Sequence, residues 1–335
     1  MNKILTVTVP SYNVEKFLNQ TLESFVDIRI LDDIEILVVD DGSKDKTVEI
    51  GKKYEAEYPD TFRVISKENG GHGSTINCGI SEAKGRYFKV IDGDDWVFTK
   101  GFVELVERLK KCNADYVFTN YYEVNDITNE KREICFFGIP ENVEIIFDEI
   151  AKDIQISMHA LVIKTEILRE KKIHIDENSF YVDVEYILYP VPYVENIIYF
   201  DIYVYMYRIA QMEQSVSMKG FQKHMQNHID VILHVLDYIN EHKIRRRIDE
   251  NKIYYMEKRI AEMVVSQVGI FNSFPLYKKK IRKQFIEFDK QVKEKNMNVY
   301  IMSGRYSGML RTLRKTRFHF YSLISLLSRA RNWKV

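Results

Sequence analysis

The sequence predicts an α/β fold, a Rossmann-like, mostly parallel sheet flanked by helices, followed by a helical C-terminal extension. Three observations predict it. Short β-branched runs alternate with helical faces over residues 1–120, the rhythm of a doubly wound sheet. Acidic clusters follow two of those runs, at the strand ends where open sheets bind ligands. Beyond residue 218 glycine is scarce and a helical period dominates.

Residues 4–9 are apolar and β-branched, as a buried parallel strand is. Val14, Phe17, Leu18, Leu22 and Phe25 fall on one helical face and predict a helix over 14–26. Residues 34–39 form a second strand, stopped by Asp40-Asp41-Gly42-Ser43. A helix over 47–58 ends at Pro59, and residues 62–65 are a third strand. Residues 73–84 read as a helix that Gly85 stops. The fourth strand, 87–91, runs into Asp92-Gly93-Asp94-Asp95. Phe102, Val103, Leu105, Val106 and Leu109 mark a further helix, and residues 115–118 start a fifth strand. A helix near 145–154 and a strand-rich stretch over 197–206 follow. The organisation is then 1–120, 121–218 and a helical 219–335.

The chain has 335 residues, 45% of them hydrophobic, and its 49 Lys and Arg balance 49 Asp and Glu. That excludes a disordered chain, a collagen-like repeat and a disulfide-stapled mini-protein. A zero net charge and no reader motif argue against a nucleic-acid partner. Cys78, Cys112 and Cys135 lack C-x-x-C spacing and fit a reducing compartment. No stretch reaches the ~18 apolar residues of a membrane span, and the first ten residues do not pattern as a signal peptide. The expectation is a cytoplasmic protein.

Clustered carboxylates repel one another, and a divalent cation is one reason to gather them. Mg²⁺ and Mn²⁺ favour hard oxygens and share them with phosphates. The bland alternative is a pair of solvated Asp-Gly turns. The order of the pieces decides. Val9-Pro10-Ser11-Tyr12-Asn13, Val38-Val39-Asp40-Asp41-Gly42-Ser43, residues 69–80, Lys84-Gly85-Arg86-Tyr87 and Ile91-Asp92-Gly93-Asp94-Asp95-Trp96 together resemble the family 2 glycosyltransferases of the GT-A fold. The last carries the family's D-x-D motif. The resemblance weakens toward residue 218 and does not cover the remainder.

It implies a nucleoside diphosphate sugar as donor, a UDP-sugar by preference. Pro10 and Tyr12 would flank the base, and Asp41, with Asp40 behind it, would hydrogen-bond it. Asp92 and Gly93 would meet the ribose side of the donor. Asp94, with Asp92, would hold a Mn²⁺ or Mg²⁺ bridging the diphosphate, supported by Asp95. Ile76 stands where many members carry Arg, which leaves His72 or Lys67 as stand-ins, with a plain loop position as the competing role for His72. Inverting transfer needs a base for the acceptor hydroxyl. Asp183 occupies its place, with Glu185 second, and a helix cap at Asp183 is the competing role. Arg208 and Ser215 are expected on a loop closing over the diphosphate, and His159 on the acceptor wall or in the core.

The acceptor implied is a glycan or lipid-linked glycan of a surface polysaccharide. A nucleotidylyltransferase would want a Gly-rich loop where Pro10-Ser11-Tyr12-Asn13 stands. A non-catalytic partner subunit would show a degraded metal motif, and this one is intact. His224 and His228, at i, i+4, lack the rest of a zinc site and read as surface or packing residues. Residues 301–335 hold eight Lys and Arg, no acid, and interleaved apolar residues. They suit a helix lying on anionic lipid, at the inner face of the membrane. The alternative is a helix packed on the protein itself or in a homo-oligomer.

Overall fold

β1 (Leu5–Ser11) and β2 (Ile34–Asp40) are buried along their whole lengths, as strands of an inner parallel pair must be. The computed structural model describes residues 3–209, 218–244, 248–275 and 279–330. The chain forms two units, Met1–Gln211 and Met212–Val335.

In the first unit, α1 (Leu18–Glu23) lies between β1 and β2, followed by α2 (Thr47–Glu57), β3 (Phe62–Ser66), α3 (His72–Glu82), β4 (Tyr87–Val90), β5 (Trp96–Val97) and α4 (Thr99–Leu109). Then come β6 (Tyr116–Asn125), β7 (Lys131–Ile134), β8 (Glu144–Ile146), α5 (Phe147–Ile150), β9 (Leu161–Lys164), α6 (Thr165–Glu170), α7 (Asp183–Leu188) and β10 (Asn196–Ile209). The sheet order is β3-β2-β1-β4-β9-β6-β10-β5, with β7 on β6 and β8 on β10.

The four N-terminal strands are parallel, and the register sets Ser11 beside Asp40 and Asp40 beside Ser66. Their carboxyl ends therefore share one edge. β9 then runs antiparallel between β4 and β6. The parallel run is thus interrupted, because the short segment 161–164 returns in the reverse direction. The helix expected over 14–26 is shorter, since residues 13–15 are tied to the β2–α2 loop and the start of α2 through Asn13–Ser43, Val14–Thr47 and Glu15–Asp45 hydrogen bonds. The helix expected over 145–154 shrinks to α5, its first residues being taken by β8.

The second unit contains α8 (Met218–Lys223), α9 (Met225–Ile244), α10 (Glu250–Ser273), α11 (Lys279–Lys295), α12 (Met297–Tyr306), α13 (Gly308–Lys315) and α14 (Tyr321–Ala330). Its core gathers residues such as Ile232, Leu236, Ile260, Phe271, Phe285 and Leu313. Arg314, from the basic tail, is not at a surface: it pairs with Asp289 at 2.7 Å and lies over the Tyr300 ring. His228 is buried with Nδ1 2.9 Å from Gln267 Oε1, a packing role.

Candidate active site at the carboxyl edge of the sheet

The strand ends bring the acidic clusters together through backbone contacts. Gly93 N donates to Pro10 O at 3.0 Å, and Asp41 N to Ser11 O at 2.9 Å. A Cβ on Gly93 would sit 2.8 Å from Pro10 O, so the approach of the fourth-strand turn to β1 needs glycine. Tyr12, two residues beyond Pro10, leaves its side chain half exposed at this edge.

Asp40 accepts from Ser43 N through Oδ1, an aspartate turn that closes the cluster on itself. Asp41 is buried, and its carboxylate accepts from Gly70 N at 2.9 Å, Gly71 N at 2.8 Å and Lys67 Nζ at 2.8 Å. Its first task is therefore to shape the glycine loop ahead of α3. Lys67 is spent on that task and is not a free cation for a ligand.

That loop delivers His72, whose Nε2 lies 2.8 Å from Asp92 Oδ1. Burial opposes a charged ring, but Asp92, with Asp183 and Asp94 adding to it, outweighs burial and raises the His72 pKa. For Asp92 burial likewise acts upward, and His72 overrules it to hold the carboxyl low. For Asp94 the balance goes the other way: burial and then the Asp92 charge push it up to about 6 against the weaker pull of Arg208 and His72. Such a carboxylate gains most from an added cation. Asp94 with Asp92 thus fits a divalent metal by donor chemistry.

Behind the turn stands a polar brace. Asp95 is buried and its pKa raised, first by burial and then by Asp94 and Asp92. It accepts from Tyr205 Oη at 2.6 Å and Arg208 N at 2.7 Å. Thr21 Oγ1 donates to Gly93 O at 3.0 Å. The Arg208 guanidinium donates to Asp94 O at 2.8 Å and Gln20 Oε1 at 2.7 Å, pairs with Asp126, and lies between the Phe17 and Trp96 rings. Arg208 belongs to β10, not to a closing loop. The expected reach to a diphosphate gives way to a grip on the turn, because its donors are engaged there. Ser215 lies outside the described residues.

The opposite wall comes from residues 175–183. Asp183 opens α7, but Val182 is the N-cap position and no side chain caps the helix. The capping role does not hold, and the carboxylate is left for other work. Asp183, Asp92, Asp94 and Asp95 all bear electrostatically on Tyr207, and Asp183 with Asp92 and Asp94 on His72. Asp92, Asp94 and Asp183 thus lie near the same two side chains, with Asp95 buried behind the turn. Glu185 is fully buried, accepts from Asp176 N at 2.8 Å, and is pushed up to about 8 by burial. That rules it out as an acceptor-facing base and makes it a strut for the loop. Two residues of this loop, Asn178 and Tyr181, have φ of +53° and +67°. For Tyr this is a strained conformation of the kind that gathers at functional sites.

His159 packs against Tyr207, Tyr205 and Tyr121, with ring centroids 4.1, 4.8 and 5.3 Å away. Buried Lys89 donates to His159 O at 2.8 Å, and burial lowers its pKa to about 7. Thr21, Lys89, Tyr205 and Tyr207 were not singled out from the sequence as site residues. Only Tyr205 and Tyr207 carried a signal, in the Tyr-x-Tyr-Arg run.

Residues 6–171 match the family described as glycosyl transferase family 2. The uncharacterized glycosyltransferase EpsJ of Bacillus subtilis is 37% identical over 123 residues, which are 37% of this chain and 35% of EpsJ. Glycosyltransferase GlyG of Streptococcus pneumoniae is 35% identical over 127 residues, 38% of this chain and 42% of GlyG. The chain thus spans well under half the length of these curated relatives. Among solved structures, S. aureus TarS 1–349 in complex with UDP-GlcNAc superposes with a TM-score of 0.66 at 17% identity, covering 98% of this chain and 92% of that one. At that identity the likeness concerns the fold. By the order of its motifs, the match over residues 6–171 and a fold shared with TarS, the chain belongs to glycosyl transferase family 2, with the GT-A architecture.

Proposed function

We propose that the protein transfers one sugar from a nucleoside diphosphate sugar to a hydroxyl of a glycan or lipid-linked glycan, inverting the anomeric carbon. The observation that carries this reading is the meeting of the Asp92–Asp95 turn with Pro10 and Asp41 at the carboxyl edge of the parallel strands, where His72 reaches Asp92. In this reading the Asp92–Asp94 pair and Asp183 serve one site from two sides.

In this reading Tyr12 offers a half-exposed ring for the base, with Pro10, Asp40 and Asp41 forming the floor behind it. Asp92 and Gly93 meet the ribose side, and Asp94 with Asp92 holds Mn²⁺ or Mg²⁺. A bound divalent cation would supply Lewis-acid neutralisation of the departing nucleoside diphosphate. Asp183 takes the proton of the acceptor hydroxyl as that oxygen attacks the anomeric carbon from the face opposite the leaving group. His72 braces Asp92 from the glycine loop. Arg208, Thr21 and Tyr205 hold the turn still, so that little reorganisation is left for the reaction. UDP is the nucleotide of choice for testing, since TarS carries UDP-GlcNAc on this fold.

The test is donor turnover by the purified protein, with and without Mn²⁺, against a panel of UDP-sugars and glycan acceptors. Asp94→Asn should lose both donor hydrolysis and transfer. Asp183→Asn should keep donor binding and lose at least 10²-fold in transfer, the scale of general base catalysis. Unchanged transfer in Asp183→Asn would remove the base assignment.

A further inference from the structure

We propose that the C-terminal unit docks on an anionic lipid bilayer through the outer face of α14. The proposal does not depend on the reading of the active site. Residues 212–335 contain 25 Lys and Arg against 11 Asp and Glu, a formal charge of +14 that the acidic first unit cancels in the total. On this basic unit, Leu323, Leu326 and Leu327 of α14 and the preceding Phe320 are each more than half exposed. At 100° per residue these four fall within one stripe. The reverse side is anchored: Tyr321 and Phe318 are buried against Phe285, at ring centroids of 6.2 and 5.1 Å, and Arg282 donates to Phe318 O. The stripe is thus held outward. Arg311, Lys315 and Arg317 are exposed just ahead of it.

Charge alone would suit any polyanion, but a soluble polyanion gains nothing from four large apolar side chains. A second copy pairing through the same stripe would set its own basic unit against this one. A bilayer with anionic headgroups satisfies both features, with apolar chains at the acyl boundary and basic ones at the headgroups. Among the described residues no helix is long and apolar enough to cross a membrane, so the contact would lie on the surface.

The full chain should co-sediment with phosphatidylcholine–phosphatidylglycerol vesicles at least tenfold more tightly than with phosphatidylcholine alone. Leu323→Asp with Leu327→Asp should weaken that binding on the order of tenfold or more, and Arg311→Glu with Arg317→Glu should weaken it while flattening its salt dependence. Neither pair should change the thermal melt or donor hydrolysis. Vesicle binding unchanged by the leucine pair would overturn the proposal. So would tight binding to inorganic polyphosphate with none to vesicles, or a wild-type dimer that the leucine pair dissociates while vesicles are ignored.

Discussion

His72 Nε2 stands 2.8 Å from Asp92 Oδ1 and joins the glycine loop of β3–α3 to the acidic turn that follows β4. The loop is itself clamped by Asp41, so one chain of contacts runs from the second strand's end to the fourth's. His72 thereby sets an imidazole, its pKa raised by Asp92 against the pull of burial, at an edge rich in carboxylates. His72→Ala should weaken UDP binding in the presence of Mn²⁺ on the order of tenfold, since hydrogen bonds to charged groups are worth about 1.5–3 kcal/mol. His72→Gln should fall between. Titration calorimetry reads the difference, and wild-type affinity in both variants would deny His72 a part in the site.

Arg208 holds the Asp92–Asp95 turn from behind by a planar fork clamped between two rings. Lysine cannot reproduce that fork. Arg208→Lys should lower stability on the order of 2 kcal/mol and reduce turnover more than donor affinity, because the turn shifts while its carboxylates remain. Denaturant melts together with a split of kcat from KM decide the matter. A variant with wild-type kcat would show that the turn holds without this grip.

Gly73 is the joint between the two walls of the cleft. A Cβ there would lie 2.1 Å from Asp176 O, which cannot yield without moving the loop that carries Asp183. Gly73→Ala should therefore leave the α/β core folded but reduce transfer on the order of 10²-fold, the usual toll of an ångström of misplacement. Circular dichroism and transfer assays test both halves of that statement.

Glu185 gives a pH signature. Its native carboxyl is pushed up to about 8 from an ordinary 4.5 by burial. Between those values the native chain holds a proton that the unfolded chain has released, so stability falls as the pH rises through this window. Glu185→Gln keeps an acceptor for the Asp176 amide and removes the titration. Its stability relative to wild type should grow from pH 5 to pH 8, by up to a few kcal/mol. Urea melts across the range test this, and parallel curves would contradict it.

Much of the first unit was legible in the sequence. The β-branched runs and the Asp-Gly turns gave β1 to β4 their order, and motif spacing put Asp40, Asp41, Asp92 and Asp94 at one sheet edge. The reversed direction of β9 was not legible, because four apolar residues look the same in either direction. Arg208 looked like a ligand-facing cation, since the sequence does not reveal that Phe17, Trp96 and Gln20 enclose it. Lys89 and Thr21 gave no signal, as their partners are backbone carbonyls distant along the chain. Motif position ranks Asp183 ahead of Glu185 in the sequence, and only the fold reveals that Glu185 is buried.

The most direct measurement is UDP binding by calorimetry with and without Mn²⁺, in the wild type and in Asp94→Asn. The metal should tighten wild-type binding at least tenfold, and that gain should fade as the pH drops below about 6, where the Asp94 carboxyl takes up a proton. It should vanish in the variant. Metal-independent UDP binding, or a metal gain retained by Asp94→Asn, would contradict the assignment of this acidic edge as the donor site.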